Sequence, residues 1–222
     1  MVLMMKKFFL LLALLAAPLA VSAQNTGTGI PYDVYYLMPQ FADGYVFIRG
    51  QAPAKGKLNI CAVNNSLRFI NNDGTELEAS DPESILKVVI DTVSFIRDNS
   101  VFYRMYPVSA DMGVALERRV RIVRDQKATG YGGSSQTAAV KEYGAIITDS
   151  AIFQFDKDKT YPYEVFEEVC VYKGNIVVPL NKKTLRKLFP AKKAEIDAWF
   201  KAGNPLPKDV PGAKALLAQW SK

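Results

Sequence analysis

The amino-acid sequence predicts an α+β fold, in which two or three C-terminal helices pack on a mostly antiparallel, curled β-sheet. The first observation is a series of short alternating segments joined by Asn and Asp-Gly turns between residues 34 and 124. The second is a change to helical spacing after Asn181. The apolar stripes of these helices need a surface to bury against, which favours one cooperative unit.

Residues 1–23 are typical of a secretory signal peptide. Two lysines precede an apolar run, and Val21-Ser22-Ala23 supplies the small residues of a cleavage site. A membrane anchor would need about 20 unbroken apolar residues, and Pro18 interrupts this run too early. We therefore expect cleavage after Ala23 and a secreted or periplasmic protein that does not span the membrane afterwards.

Composition divides the rest of the chain. Residues 24–33 are polar and glycine-bearing, which predicts a flexible leader. Residues 34–222 predict a single domain that is large enough to bury a hydrophobic core. Within this domain we expect a β-rich part over 34–124, a Gly/Ser-rich loop over 125–150, and a β-hairpin followed by helices over 151–222.

Alternation of apolar and polar residues predicts the strands of the β-rich part. They cover residues 34–38, 45–50, 57–63, 66–70, 75–79, 85–91, 93–97 and 101–106. Asn64-Asn65 and Asn99 lie in the tight turns between them. Ser80 and Glu83 fit a helix capping box, but the β-branched run that follows favours a strand.

The stretch "ERRVRIVRD" over residues 117–125 carries four arginines. Read as a strand, it directs Glu117, Arg119 and Arg121 to the face opposite Val120. This arrangement is typical of a solvated face or of a charged sheet edge, and the alternative is a small anion site built from Arg119 and Arg121. Export argues against nucleic acid as the partner.

The glycine-rich segment offers a second candidate site. Gly130, Tyr131 and Gly132 lie in a long loop, and such loops on rigid scaffolds commonly carry binding functions. The segment lacks the lysine and hydroxyl spacing of a phosphate-binding loop, so no cofactor is predicted.

The C-terminal part begins with a hairpin that turns at Gly174. Asn181 fits the N-cap of a first helix, which Pro190 ends while starting a second helix that stops at Gly203. A final helix is predicted over residues 212–220.

Cys61 and Cys170 are the two cysteines of the chain. In an oxidising compartment the pair can form a disulfide that ties the two halves of the chain together. The alternative is two buried free thiols that pack as small apolar residues.

Several classes of chemistry lack their usual residues. The chain contains no histidine, which removes the commonest base and metal ligand of serine, cysteine and zinc hydrolases. Asp156 and Asp158 are not followed by the remaining ligands of a calcium loop. Glu167 and Glu168 are adjacent on a strand and should point to opposite faces, so a carboxylate pair would have to come from separate strands. We predict no catalytic residue and no bound metal.

Charge and aromatic residues point to no specific partner. The net charge is +6, and removal of the two signal-peptide lysines lowers it by two. The remaining excess is too small for a dedicated polyanion binder. Tyr32, Tyr35, Tyr36 and Phe41 cluster near the leader, where packing is favoured over the stacking of sugar rings.

Three segments resemble the small secreted proteins of Bacteroidetes, a group without a known activity. They are "GKLNICAVNNSLRFINNDGTELEASDPESI", "GYGGSSQTAAVKEYG" and "GNIVVPLNKKTLRKLFPAKKAEIDAWFKAGN". The resemblance covers most of residues 34–220, with a departure at the last helix. It implies an exported protein and supplies no catalytic residues.

These observations together favour a non-enzymatic periplasmic or cell-envelope protein that binds or supports an envelope component. That component can be a glycan, a lipid headgroup or a protein. The alternatives are a carboxylate-based glycan hydrolase and a purely structural, self-associating module.

Overall fold

The computed structural model describes residues 29–122 and 162–221. Within these ranges, ten strands form a single antiparallel sheet. The strands are β1 (Ala42–Ile48), β2 (Ala54–Cys61), β3 (Ser66–Ile70), β4 (Glu76–Glu78), β5 (Ile85–Ile90), β6 (Val93–Asp98), β7 (Val101–Pro107), β8 (Met112–Ile122), β9 (Tyr163–Lys173) and β10 (Ile176–Pro179). The helices are α1 (Tyr32–Tyr35), α2 (Lys182–Leu188), α3 (Lys193–Lys201) and α4 (Val210–Trp220). Short 3-10 turns lie at Pro82–Ser84 and Pro190–Lys192.

The strand order is β10-β9-β8-β7-β6-β5-β1-β2-β3-β4. Two meanders, β1 to β4 and β5 to β10, meet where β1 pairs with β5. The predicted α+β class is thereby confirmed, including the antiparallel sheet and the C-terminal helices.

The sheet curls back on itself without closing. The Val120 amide of β8 donates to the Ala62 carbonyl, directly after β2, with an N–O distance of 3.0 Å. Four strands lie between β8 and β2 in the strand order, so this bond joins distant parts of the sheet across its hollow side. We call this side the concave face.

One register row defines the concave face across seven strands. It runs through Ala54, Val46, Val88, Phe95, Arg104, Leu116 and Val169. Because side chains alternate between faces along a strand, the residues two positions away from each member also lie on this face. Arg104 is the charged residue in a row that is otherwise apolar.

Two apolar clusters bury the concave face from opposite ends. The first lies inside the curl and includes Ile60, Leu67, Val88, Phe95 and Phe102. The second lies under the C-terminal helices and includes Met112, Val114, Val171, Leu185, Ile196, Leu217 and Trp220. The apolar stripes of α2 to α4 therefore bury against the sheet, as the sequence predicts.

The N-terminal segment differs from its prediction. Residues 34–38 were expected to form a strand, but α1 occupies Tyr32–Tyr35 and only an isolated bridge joins Tyr36 to Cys61. Pro31 explains the difference, because its carbonyl accepts from the amides of Val34 and Tyr35 and so starts a helical turn. Ile30 is already buried, so the folded body begins inside the expected leader.

The predicted turns and caps are confirmed. Asn65 and Asn99 have positive φ angles of 51° and 46°, which Asn tolerates in tight turns. The Asn181 side chain accepts from the Thr184 amide at 2.9 Å and caps α2. The last helix begins at Val210, earlier than expected, because Asp209 caps it by accepting from the Gly212 amide at 2.7 Å. In the part of the chain that the structure describes, no helix is long and apolar enough to cross a membrane.

Truncation of Phe102 should destabilise the fold more than truncation of any exposed aromatic. Phe102 is fully buried inside the curl, so we expect Phe102→Ala to lower the free energy of unfolding by about 3–5 kcal/mol. Phe47, which is 37 % exposed, provides the matched control, and Phe47→Ala should cost less than half as much. Urea unfolding followed by fluorescence measures both, and equal losses would contradict the assigned interior.

Candidate anion-binding site

The two arginines that the sequence singles out lie on the face opposite the concave one. We call it the convex face, although β10 bends over part of it, where the Val177 amide donates to Asp98 Oδ2 at 2.8 Å. Arg119 Nε lies 2.6 Å from Glu117 Oε1 on the same strand. Arg121 Nε donates to Glu164 Oε2 at 3.2 Å, and its guanidinium lies 4.8 Å from the Phe166 ring centroid. Both cations therefore already have a carboxylate partner.

Arg118, which comes directly before Arg119 in sequence, points to the concave face. Its Nε lies 3.8 Å from Glu167 Oε1, which is too long for a hydrogen bond. The same Nε is buried and has no hydrogen-bond partner among the described residues.

Arg97 on β6 is also on the concave face, and only 6 % of its side chain is exposed. Its guanidinium lies 5.5 Å from the centroid of Phe102. The terminal nitrogens are bound, one by the Pro82 carbonyl and one by Glu83 at 3.2 Å. Its Nε is a second buried donor for which the described part of the chain provides no partner.

Arg104 on β7 completes the group. Its guanidinium lies 5.3 Å from the ring centroid of Tyr106, and the described residues provide it with no salt bridge. The side chain is only partly buried. Arg104 is therefore a cation that remains available on a largely apolar face.

Strand register brings these three arginines together. Arg104 pairs with Phe95 of β6 and with Leu116 of β8, so Arg97 and Arg118 are its diagonal neighbours on the two flanking strands. Diagonal pairs on one face of a sheet are about 7–8 Å apart, within reach of long side chains. We call Arg97, Arg104 and Arg118 the arginine cluster.

Arg104 and Arg118 of the arginine cluster lie where neither apolar cluster covers the sheet completely. Leu116 belongs to neither cluster and is only partly buried, as are Arg104 and Arg118. Guanidinium groups bind carboxylates, sulfates and phosphates through paired hydrogen bonds. This strip of the concave face can therefore receive an anionic group.

The convex face carries a second polar arrangement. Glu117 and Glu168 are direct register partners, and Tyr103 is the partner of Glu117 on its other side. Separate strands thus bring two carboxylates together, whereas Glu167 and Glu168 point to opposite faces as predicted. Burial raises the pKa of Glu117 above its usual range, with Glu168 adding to the effect and Arg119 opposing it.

The two cysteines are free, buried thiols in this structure. Cys61 packs with Tyr35 and Ala62, whereas Cys170 packs with Ala115 and Tyr172. Five strands separate their strands in the sheet order, and no disulfide joins them here. Burial raises the pKa of Cys170 to about 12 and also raises the pKa of Cys61.

The aromatic residues near the N-terminus pack together, as the sequence favours. Tyr36 stacks edge-on against Tyr35 and Phe41, with ring centroids 4.8 Å and 5.4 Å away. Its hydroxyl donates to Glu76 Oε1 at 2.6 Å, and the residue is almost fully buried. These rings therefore build part of the core beside β2.

Other candidates fall outside the described residues or find no support in them. Gly130, Tyr131 and Gly132 of the loop site, and Asp156 with Asp158, lie outside the described ranges. Within those ranges, no group of three acidic, cysteine or histidine side chains is placed to hold a metal ion.

Comparison with protein-family models, curated proteins and solved structures gave no match to this chain. The function is therefore inferred from the chain's own residues and their geometry.

Sequence reasoning missed the arginine cluster, although one signal for it is present. Arg97, Arg104 and Arg118 each occupy a core-facing position in the alternation of its strand. Lys and Arg are rarely buried unless they are paired, so a cation in the apolar phase of a strand marks a functional candidate.

Alkylation should confirm the state of the thiols. Because both are buried and have raised pKa values, iodoacetamide at pH 8 should leave the native protein unmodified. In denaturant without reductant, both should react, as intact mass would show. Thiols that stay unreactive in denaturant until a reductant is added would instead indicate a disulfide.

Glu117 should make stability depend on pH. Its pKa is raised above 4.5 in the folded state, so the folded protein binds this proton more tightly than the unfolded chain does. The stability gained in this way is fully present below the unfolded pKa and is lost as pH rises through the folded pKa. We expect the unfolding free energy of the parent protein, relative to Glu117→Gln, to fall as pH increases from 4 to 8. Urea titrations across this range measure the difference, and a rising difference would contradict the assigned cause.

Proposed function

We propose that this chain is an exported, non-enzymatic protein of the periplasm or cell envelope that binds an anionic glycan through the arginine cluster. The N-terminal segment with its cleavage pattern supports export. The resemblance to small secreted proteins of Bacteroidetes supports the same location. The arginine cluster supplies the chemistry for an acidic ligand.

One observation carries the proposal. Among the described residues, the buried Arg118 Nε has no acceptor, and its neighbour Arg104 has no carboxylate partner. A buried donor without a partner costs about 1–3 kcal/mol, and more when the group is charged. An anionic group held between Arg104 and Arg118 would accept a hydrogen bond from this donor and remove the cost. Formation of that hydrogen bond would favour ligand binding.

The shape of the sheet favours a glycan over a membrane surface. The arginine cluster lies on the concave face, between the curl, where Val120 bonds to Ala62, and the helices that cover Met112 and Val114. A flat bilayer reaches protruding surfaces, whereas a flexible sugar chain can enter a recessed one. Tyr106 beside Arg104 offers a ring against which a sugar can pack.

A paired set of variants tests this proposal. We expect the protein spanning residues 24–222 to bind acidic oligosaccharides on a glycan array, and calorimetry should show at least a tenfold loss in Arg104→Gln/Arg118→Gln. Arg119→Gln/Arg121→Gln removes the same charges from the convex face of the same region and should change affinity less than twofold. Binding should weaken as salt increases.

Three outcomes would contradict the proposal. Equal losses in the two double variants would indicate a nonspecific effect of net charge. Binding to anionic vesicles but to no acidic glycan would indicate a lipid headgroup as the ligand. Retained affinity in Arg104→Gln/Arg118→Gln would remove the arginine cluster from the binding site.

A second candidate function is carboxylate-based glycan hydrolysis, which the Glu117–Glu168 pair favours. Retaining glycosidases place their two carboxyl groups about 5–5.5 Å apart, a spacing that fits cross-strand partners. The raised pKa of Glu117 suits a proton donor. Turnover of a glycan substrate that Glu117→Gln abolishes and Glu164→Gln retains would favour this function over binding alone.

A further inference from the structure

We infer that the arginine cluster selects a singly charged carboxylate, as in a uronic acid, and that Glu167 sets this preference. The inference rests on the proposed function and adds the class of ligand group and one specificity-determining residue. It follows from the balance of charges on the concave face and from the position of Glu167 beside Arg118.

The charges of the arginine cluster are largely compensated. Arg97 is bound by Glu83 at 3.2 Å and by the Pro82 carbonyl, and its side chain is buried. Arg118 faces Glu167, its register partner on β9. One positive charge, that of Arg104, remains without a carboxylate among the described residues.

Only a long ion pair with Arg118 holds the Glu167 side chain in place. Its carboxylate is 3.8 Å from Arg118 Nε, outside hydrogen-bond distance, and 56 % of its side chain is exposed. An exposed ion pair of this length contributes at most about 1 kcal/mol. A ligand carboxylate that approaches Arg118 more closely can therefore displace Glu167 toward solvent at small cost.

The displaced carboxylate still remains next to the site. A ligand group with a single negative charge would be balanced by Arg104 and would bind its planar guanidinium through two parallel hydrogen bonds. A phosphate monoester carries nearly two negative charges at neutral pH and would be repelled by Glu167. Glu167 thus favours carboxylates over phosphates.

Calorimetry with three defined probes tests the inference. The probes are an oligogalacturonate, its fully methyl-esterified form and a neutral oligosaccharide bearing one phosphate monoester. We expect the parent protein to bind the oligogalacturonate roughly tenfold more tightly than the phosphorylated probe and to show no binding of the ester. Glu167→Gln should raise affinity for the phosphorylated probe roughly tenfold.

Glu164→Gln is the matched control. Glu164 lies on the same strand and pairs with Arg121 on the convex face, so its replacement changes net charge equally without touching the arginine cluster. It should leave both affinities within twofold of the parent values. Circular dichroism melting checks that each variant folds.

The outcomes separate the inference from the function on which it rests. Absence of binding to both charged probes would overturn the proposed function and the inference together. A parent protein that prefers the phosphorylated probe, or a Glu164→Gln variant that matches Glu167→Gln, would overturn the inference while leaving an anion site in place.

Discussion

The curl of the sheet is the constraint on which the rest of the structure depends. The Val120 amide and the Ala62 carbonyl meet across a hollow that four intervening strands enclose. Large side chains such as Phe95 and Phe102 fill that hollow and make the bend favourable, since an apolar concave face must be removed from water. The sheet continues past the bend into β9 and β10, where the curl no longer covers the concave face. There the C-terminal helices remove the apolar side chains of the sheet from water.

The curl and the C-terminal helices cover different parts of the concave face and leave a strip of it between them. Tyr106 and Val169 are partly buried at the border of the helix-covered cluster, and Phe95 lies inside the curl. Arg104 and Leu116 lie between these borders in the same register row. A strip of this kind is where a cation can remain on an apolar face without full desolvation.

β8 shows how one strand serves two purposes. On its convex face, Arg119 pairs with the buried Glu117, and Arg121 pairs with the exposed Glu164. On its concave face, Arg118 keeps a buried Nε that no acceptor within residues 29–122 and 162–221 satisfies. Such a group calls for an explanation, and ligand binding is the one that we propose.

Much of the fold could be predicted from the sequence because its signals are local. Alternation, Asn turns at Asn65 and Asn99 and the cap at Asn181 act over a few residues each. The strand predicted over residues 34–38 was wrong because the same residues fit a helical turn once Pro31 starts it. Here one local preference overrode another.

The candidate site depends on register, which no single strand reveals. The sequence pattern shows Arg97, Arg104 and Arg118 separately, and only the pairing of β6, β7 and β8 makes them neighbours. The sequence leaves the interpretation of Arg119 and Arg121 as an anion site open, because the partner of Arg121, Glu164, lies 43 residues away in sequence. Arg119 pairs with Glu117 on its own strand, so only the partner of Arg121 depends on long-range pairing.

The central claim is that an acidic ligand satisfies the arginine cluster on the concave face. Nuclear magnetic resonance of the arginine Nε–Hε groups tests it most directly, because each signal reports on one donor. On addition of an oligogalacturonate, we predict that the Arg118 signal shifts and its hydrogen exchange slows, while Arg119, already 2.6 Å from Glu117, is unchanged. A shift at Arg119 or Arg121 with no change at Arg118 would contradict the account.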